Sequence, residues 1–455
     1  MDSQTPRSQA NGWRKLIGTR GRSVLSASAW GLTAKLCAGA NLLLSVPFVL
    51  RALGQAQFGA WATLVSLVTF AGFLDFGFGN GTMNLVAAAH GRNEHSVVAA
   101  VLHESWRVLL GIAAAIAIIA TILLPLVPWN RLLGLPTTAA WESRLAIAAV
   151  LYSIAIAVPL NLAMRAQLGL GRGERAFRWQ AAGQVLAAVL VVMLALFGAS
   201  LPTLTAAAVA TPLIGAAGNT LTLWRDYPAS RVDARSARAR RKEIAGRIRR
   251  EGFLFFILQL AAALAFSADL PLVSALRGAA EAGTYAVVQR LFSMIPLCIS
   301  LVWTPLWPIY RQALAIGDHA WVMRTLRRSC ATAIGFAATC AMIFALCFPL
   351  ISRLWVHHLA PVDRALLAGF VMWCIVEAGA TALSTLLNAA SVMRFQMITS
   401  IIFATICFTG KAMVLSRIGI DGVPWVTALA WCIVNAIAFT CFGHRVFERI
   451  ATTRY

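Results

Sequence analysis

The chain has 455 residues, 59% of them hydrophobic and only 12% charged, with a formal net charge of +22. Its mean hydropathy is +0.74. A soluble enzyme or nucleic-acid-binding domain carries far more polar surface than this, so those classes are excluded. The long apolar runs are continuous and do not alternate with period two, which predicts an all-α polytopic membrane protein and not a β-barrel.

In chain order, residues 1–22 form a polar, basic amino-terminal segment carrying Arg7, Arg14, Lys15, Arg20 and Arg22. The run after it is too long for a signal-peptide core and reads as an uncleaved first span. Twelve runs follow, near 24–50, 57–88, 101–127, 145–164, 179–200, 203–224, 252–276, 284–309, 329–351, 365–389, 395–416 and 422–443. Each is long enough to cross a hydrocarbon core of about 30 Å. Lys and Arg concentrate on the amino-terminal side and on alternate loops, leaving only seven on the opposite loops. That positive-inside asymmetry places both termini in the cytoplasm and makes the charge a signal of topology, not of nucleic acid.

The twelve runs divide into two halves. "SVPFVLRALGQAQFGAW" (45–61) and "DLPLVSALRGAAEAGTY" (269–285) align at an offset of 224, Pro47 with Pro271, Gly59 with Gly283 and Trp61 with Tyr285. Gly91 and Gly317 repeat at an offset of 226. The expected organisation is a six-helix lobe over 23–224, a linker over 225–251, a second six-helix lobe over 252–444 and a cytoplasmic tail over 445–455. Parallel repeats of this kind are a layout of secondary transporters. The linker carries ten Lys or Arg and is expected to lie against anionic headgroups.

In "TFAGFLDFGFGNGTMNLV" (69–86), Asp75 stands beside Gly77, Gly79 and Gly81 inside the second run. The repeat offset carries these glycines close to Pro305 and Pro308 of "LVWTPLWPIY". Glycine loosens a helix and interior proline removes a hydrogen bond, so both halves are expected to interrupt the same helix. Matched interruptions point to a gate along a substrate pathway, although kinking for packing alone would leave the same pattern.

Lys35, Asp75, Asp269, Arg290, Glu377 and Lys411 stand inside predicted spans. A charge at a helix centre costs about 2.5–3.5 kcal/mol, so such residues must be paired, wetted or near an interface. Lys35 and Glu377 lie near the midplane and are expected to face a water-filled cavity between the lobes, with a buried structural pair as the other reading. Asp269 and Arg290 share a depth and are expected to pair. Lys411 is expected to snorkel to the nearby interface. Asn41, Asn80 and Gln289 are polar neighbours of the same pathway or interhelical hydrogen-bond partners.

The nine cysteines show no CxxC or metal spacing and read as small hydrophobes, and the His357–His358 pair has no partner by spacing. No metal or cofactor is expected. No G-x-x-x-x-G-K-[ST] phosphate loop occurs. The external connections are short, the longest about 17 residues, which leaves an integral-membrane glycosyltransferase little room for catalytic groups.

The segment 48–94 carries R-x-L-G at Arg51 to Gly54, F-G-x-W at Phe58 to Trp61, L-D-F-G-F-G at Leu74 to Gly79 and G-R at Gly91 and Arg92. It resembles the first two spans of the Wzx-type polysaccharide flippases of the multidrug/oligosaccharidyl-lipid/polysaccharide exporter superfamily. The resemblance implies a V of two six-helix lobes in the inner membrane, opening alternately to either side. It implies an undecaprenyl-pyrophosphate-linked oligosaccharide as cargo, carried to the periplasmic leaflet for O-antigen or exopolysaccharide synthesis, with a polymerase and chain-length machinery as partners. It places spans one, two, seven and eight, and hence Lys35, Asp75, Asp269 and Arg290, around the cleft. Asp269 or Glu377 would couple an ion gradient. Three cations against three anions depart from a strongly cationic cavity, which keeps a multidrug extruder of the same superfamily as the alternative.

Overall fold

A computed structural model of the protein describes residues 6–68, 78–135, 140–228, 246, 257, 259–315, 317–356, 361–390 and 393–452. Side chains are described within these except at 6–25, 80, 301–305, 307–309, 311–312, 315, 393–394 and 444–452. Asp75, Gly77, the His357–His358 pair and nearly all of the basic linker lie outside the described residues.

Among the described residues there are helices and no strands. The first half comprises α1 (Pro6–Leu67), α2 (Phe78–Gly91), α3 (His95–Leu126), α4 (Ala140–Gly169), α5 (Gly173–Leu196) and α6 (Leu201–Asp226). The second comprises α7 (Asp269–Arg277), α8 (Ala279–Phe292), α9 (Met294–Ala315), α10 (His319–Trp355), α11 (Arg364–Ala389), α12 (Met393–Arg417) and α13 (Val423–Thr452). Asp318 and Asp363 cap α10 and α11 by accepting from the Trp321 and Ala365 amides at 3.0 and 2.9 Å, which satisfies orphan donors at both starts.

Ten of the helices are long and apolar enough to cross a membrane, or eleven when the bent pair Gln259–Ser267 and Asp269–Arg277 counts as one span. The difference from the twelve expected runs arises at the front. Ser26–Leu67 forms one stretch of 42 residues, and the rest of the predicted second run passes through residues outside those described.

Within that stretch Gly54 is non-helical, with φ 73° and ψ 170°. Its repeat mate Gly278 has φ 91° and ψ 168° and separates α7 from α8. The two halves therefore use one backbone joint at one repeat position. Only glycine enters this region without a Cβ clash. After the joint, α1 and α8 cross so closely that a Cβ on Gly59 would lie 1.7 Å from the Ala279 carbonyl oxygen, and one on Gly283 would lie 2.6 Å from that of Gln55. The pair of glycines that marks the repeat is thus the point where the halves touch.

Polar bonds reinforce this crossing. The Gln55 amide donates to Thr284 Oγ1 at 2.8 Å and to the Ala280 carbonyl at 3.3 Å. Thr63 Oγ1 donates to the Leu270 carbonyl at 3.5 Å. The Trp355 indole donates to the Leu43 carbonyl at 3.2 Å. A continuous apolar core runs through the contact, joining Val46, Val49 and Phe58 to Ala282, Tyr285 and Phe292. At the opposite end of the bundle, Arg172 and Arg175 pair with Asp226, and Arg178 with Glu174, all inside the first half. The helix α2 packs there on α3 and α4 of its own half.

Candidate functional site

Arg290 is the hinge of the site. The Gly59–Gly283 crossing presses α8 against α1, and Arg290, farther along α8, reaches over the first half's aromatics. Its guanidinium carbon lies 4.7 Å from the Trp61 ring centre and 5.6 Å from that of Phe58. The residue is 6% exposed, and its Nη1 has no hydrogen-bond partner among the described residues. Cation–π stacking offsets part of the burial cost, but it leaves in-plane N–H donors unused. A buried guanidinium with a spare donor is a site waiting for an anion.

Arg290 is also the charged residue in the lining of a cavity of about 410 Å³ in the first half, walled by α1, α4, α5 and α6. Carboxamides supply most of the remaining polarity: Asn41, Asn161, Gln180, Gln184 and Asn219. Asn41 Nδ2 donates to Gln184 Oε1 at 3.0 Å, which fixes both, whereas Asn219 Oδ1 and the Trp61 indole N–H are buried without partners among the described residues. Trp179 adds an aromatic face. Side-chain amides both donate and accept, so this wall matches the hydroxyls of a sugar.

The second half holds a separate cavity of about 170 Å³, lined by Asp269, Tyr285, Gln289, Trp373 and Glu377 among others. Asp269 does not pair with Arg290 as expected from their common depth. Its Oδ1 accepts from Lys411 Nζ at 2.5 Å and its Oδ2 from the Tyr285 hydroxyl at 2.8 Å. The physical reason is rotation about the helix axis. Tyr285 faces Asp269, and five residues later, at 100° per residue, Arg290 points about 140° away from it. Lys411 likewise does not snorkel. It is 0% exposed, and it donates a second bond, at 2.6 Å, to the Ala265 carbonyl. That carbonyl belongs to the π-helical turn Ala263–Ser267, just before the 42° bend into α7. A π turn disturbs the regular ladder and is where a backbone acceptor becomes available to a side chain.

The remaining candidates spread more widely. Lys35 is half-buried and donates to Ser300 Oγ of α9 at 3.1 Å, so it bridges the halves, and it lines neither cavity. Lys35 and Glu377 are thus not brought to one cavity. Gly79 and Gly81 are buried in the first turn of α2, Asn80 is described in backbone only, and Pro305 and Pro308 lie within the unbroken helix α9. The interruption along this part of the second half falls at Ser293, between α8 and α9. Sequence reading missed Asn161, Gln180, Gln184 and Asn219. The i,i+4 spacing of Gln180 and Gln184, two amides on one face of an apolar helix, was the available signal.

Two helical halves thus meet at a buried cation, Arg290, beside a cavity that lies within the first half. The chain matches the inward-facing conformation of a multidrug resistance MATE family transporter of the MOP superfamily with a TM-score of 0.72, at 15% identity, over 93% of this chain and 96% of the other. It matches an outward-facing conformation of a MATE transporter at 0.65, with 15% identity over 95% and 97%. A MOP superfamily transporter from Pyrococcus furiosus, described as having a binding pocket of reverse polarity, matches at 0.67, with 15% identity over 95% and 97%. No curated protein matches the chain in sequence. The sequence profile of the polysaccharide biosynthesis protein family matches residues 26–313. The chain belongs to that family, and it shares the fold of MOP superfamily transporters.

Proposed function

We propose that the protein flips a lipid-linked oligosaccharide, an undecaprenyl-pyrophosphate-linked repeat unit, from the cytoplasmic to the periplasmic leaflet of the inner membrane by alternating access of its two halves. The observation that carries this reading is Arg290: one buried guanidinium with an unpartnered donor, at the edge of a largely apolar cavity that also presents five carboxamides and two tryptophans. A diphosphate takes the guanidinium in paired hydrogen bonds, neutral sugars take the amides, and the polyprenyl tail stays in the lipid. A cation-extruding transporter would gain nothing from this charge.

Polar ties between the halves run from the Gly54/Gly278 end to the Lys35–Ser300 bond farther along α1, and the ion pairs at the other end stay within the first half. Asp269 already has Lys411 as its counter-ion, so of the two carboxylates considered for ion coupling we assign that role to Glu377 in the smaller cavity. The product would pass to a polymerase with its chain-length machinery.

The test uses purified protein in vesicles carrying an undecaprenyl-pyrophosphate-linked oligosaccharide, with the cargo assayed by leaflet. Arg290→Gln is expected to slow flipping about 10- to 100-fold, the worth of one lost charged hydrogen-bond contact. Arg290→Lys keeps the charge but not the fork and should fall between. Unchanged flipping in Arg290→Gln would remove the reading, and dye export without flipping would replace it with a drug extruder. Glu377→Gln is expected to abolish the dependence of flipping on an imposed ion gradient while downhill exchange persists, measured in the same vesicles.

A further inference from the structure

We propose a second, lateral binding site: a groove between α10 and α11 that holds one anionic phospholipid of the leaflet at the Gly54/Gly278 end. The groove, at about 980 Å³, exceeds the central cavity in volume. Its walls are apolar, with Met342 and Leu346 on α10 and Leu367 and Val371 on α11, and its mouth carries Arg353 and Arg364. Leu346 is 73% exposed and Met342 49% exposed, so the groove faces the lipid and not the centre of the molecule.

Three properties select the occupant. The first is length. From Arg353 back to Met342, α10 rises about 16 Å, the depth of one leaflet of a hydrocarbon core about 30 Å thick. An acyl chain laid along the groove therefore reaches its floor when the headgroup sits at the arginines. The second is charge. Arg353 closes the last turn of α10 and Arg364 opens the first turn of α11, and neither is in an ion pair among the described residues. The adjacent Asp363 is engaged in capping the Ala365 amide. Two forked cations at headgroup depth match a phosphodiester with net negative charge, not a zwitterion whose own amine cancels it. The third is placement. Both arginines lie on the side of the membrane that the positive-inside bias otherwise depletes of cations, so topology does not account for them.

The site is separate from the central cavity and does not rest on the flippase reading. It is tested by lipid retention. Full-length protein is delipidated, exchanged into bilayer discs of equal phosphatidylglycerol and phosphatidylethanolamine, re-extracted with mild detergent, and its bound lipid is counted by mass spectrometry. The wild type is expected to keep about one phosphatidylglycerol in strong preference to phosphatidylethanolamine. Arg353→Gln/Arg364→Gln should retain phosphatidylglycerol roughly 10- to 30-fold less. Ala368→Trp, an exposed groove position, should displace the lipid with both arginines intact. Arg131→Gln, an exposed cation outside the groove, should retain it like the wild type. Thermal melting in detergent confirms that each variant is folded. Equal retention of the two lipids by the wild type, or undiminished phosphatidylglycerol in the double variant or in Ala368→Trp, would overturn the proposal.

Discussion

Lys411→Met is expected to destabilise the protein by about 3–5 kcal/mol, because it leaves the Asp269 carboxylate buried without its counter-ion. Asp269 is 7% exposed and Lys411 0% exposed, so the carboxylate loses its charged partner in a largely dry setting. The substitution also strands the Ala265 carbonyl, which accepts from Lys411. The Tyr285 hydroxyl would remain as the only described donor to Asp269. Pairing Lys411→Met with Asp269→Asn should recover most of the loss, since a neutral amide can take the Tyr285 bond without an unmatched charge. Thermal unfolding of the two single variants and the double variant in the same detergent gives the coupling directly. A loss below about 1 kcal/mol in Lys411→Met would mean that the pair behaves as a solvated one.

Gly59→Ala is expected to separate the halves at the Gly54/Gly278 end. The new Cβ would meet the Ala279 carbonyl oxygen at 1.7 Å and the Gly283 amide nitrogen at 2.6 Å. Both are backbone atoms of α8, so no rotamer change relieves the overlap, and α8 must move away from α1. A cost above about 3 kcal/mol in this state alone shifts its population more than about 100-fold. The measurement is disulfide formation between Gln55→Cys and Thr284→Cys, placed where the native side chains bond at 2.8 Å. Cross-linking should be efficient with Gly59 and nearly lost with Gly59→Ala. Gly111→Ala is the control, because a Cβ there meets nothing within 4 Å.

The helical class and the two-fold repeat were legible in the sequence. Counting residues along the helices put Asp269 and Arg290 at one level, but Asp269 meets Tyr285, five residues and about 7.5 Å before Arg290 on α8. Direction did not follow. Whether Arg290 meets Asp269 or Trp61 depends on how α8 is rotated, and Gly59 and Gly283 decide that through a contact between residues far apart in the chain. Lys411 shows the same limit. Five residues from a predicted helix end, it has the length to reach the interface, but the π turn before α7 offers a carbonyl that hydropathy does not register. Asn41 was legible as a polar residue in an apolar run. Its partner Gln184 and the amides Asn161, Gln180 and Asn219 were not, since one carboxamide in a spanning helix looks the same whether it bonds a neighbouring helix or lines a cavity. The stretch around Asp75 and Gly77 lies outside the described residues.

Gly54 and Gly278 adopt one conformation, φ 73° and 91° with ψ 170° and 168°, in stretches whose side chains have largely diverged. An ancestor of half the length that docked against its own twin would have needed one such joint per copy and one small residue at the crossing. The first half now lines its cavity with amides and the second with carboxylates, while both keep the one elbow that holds the pair together.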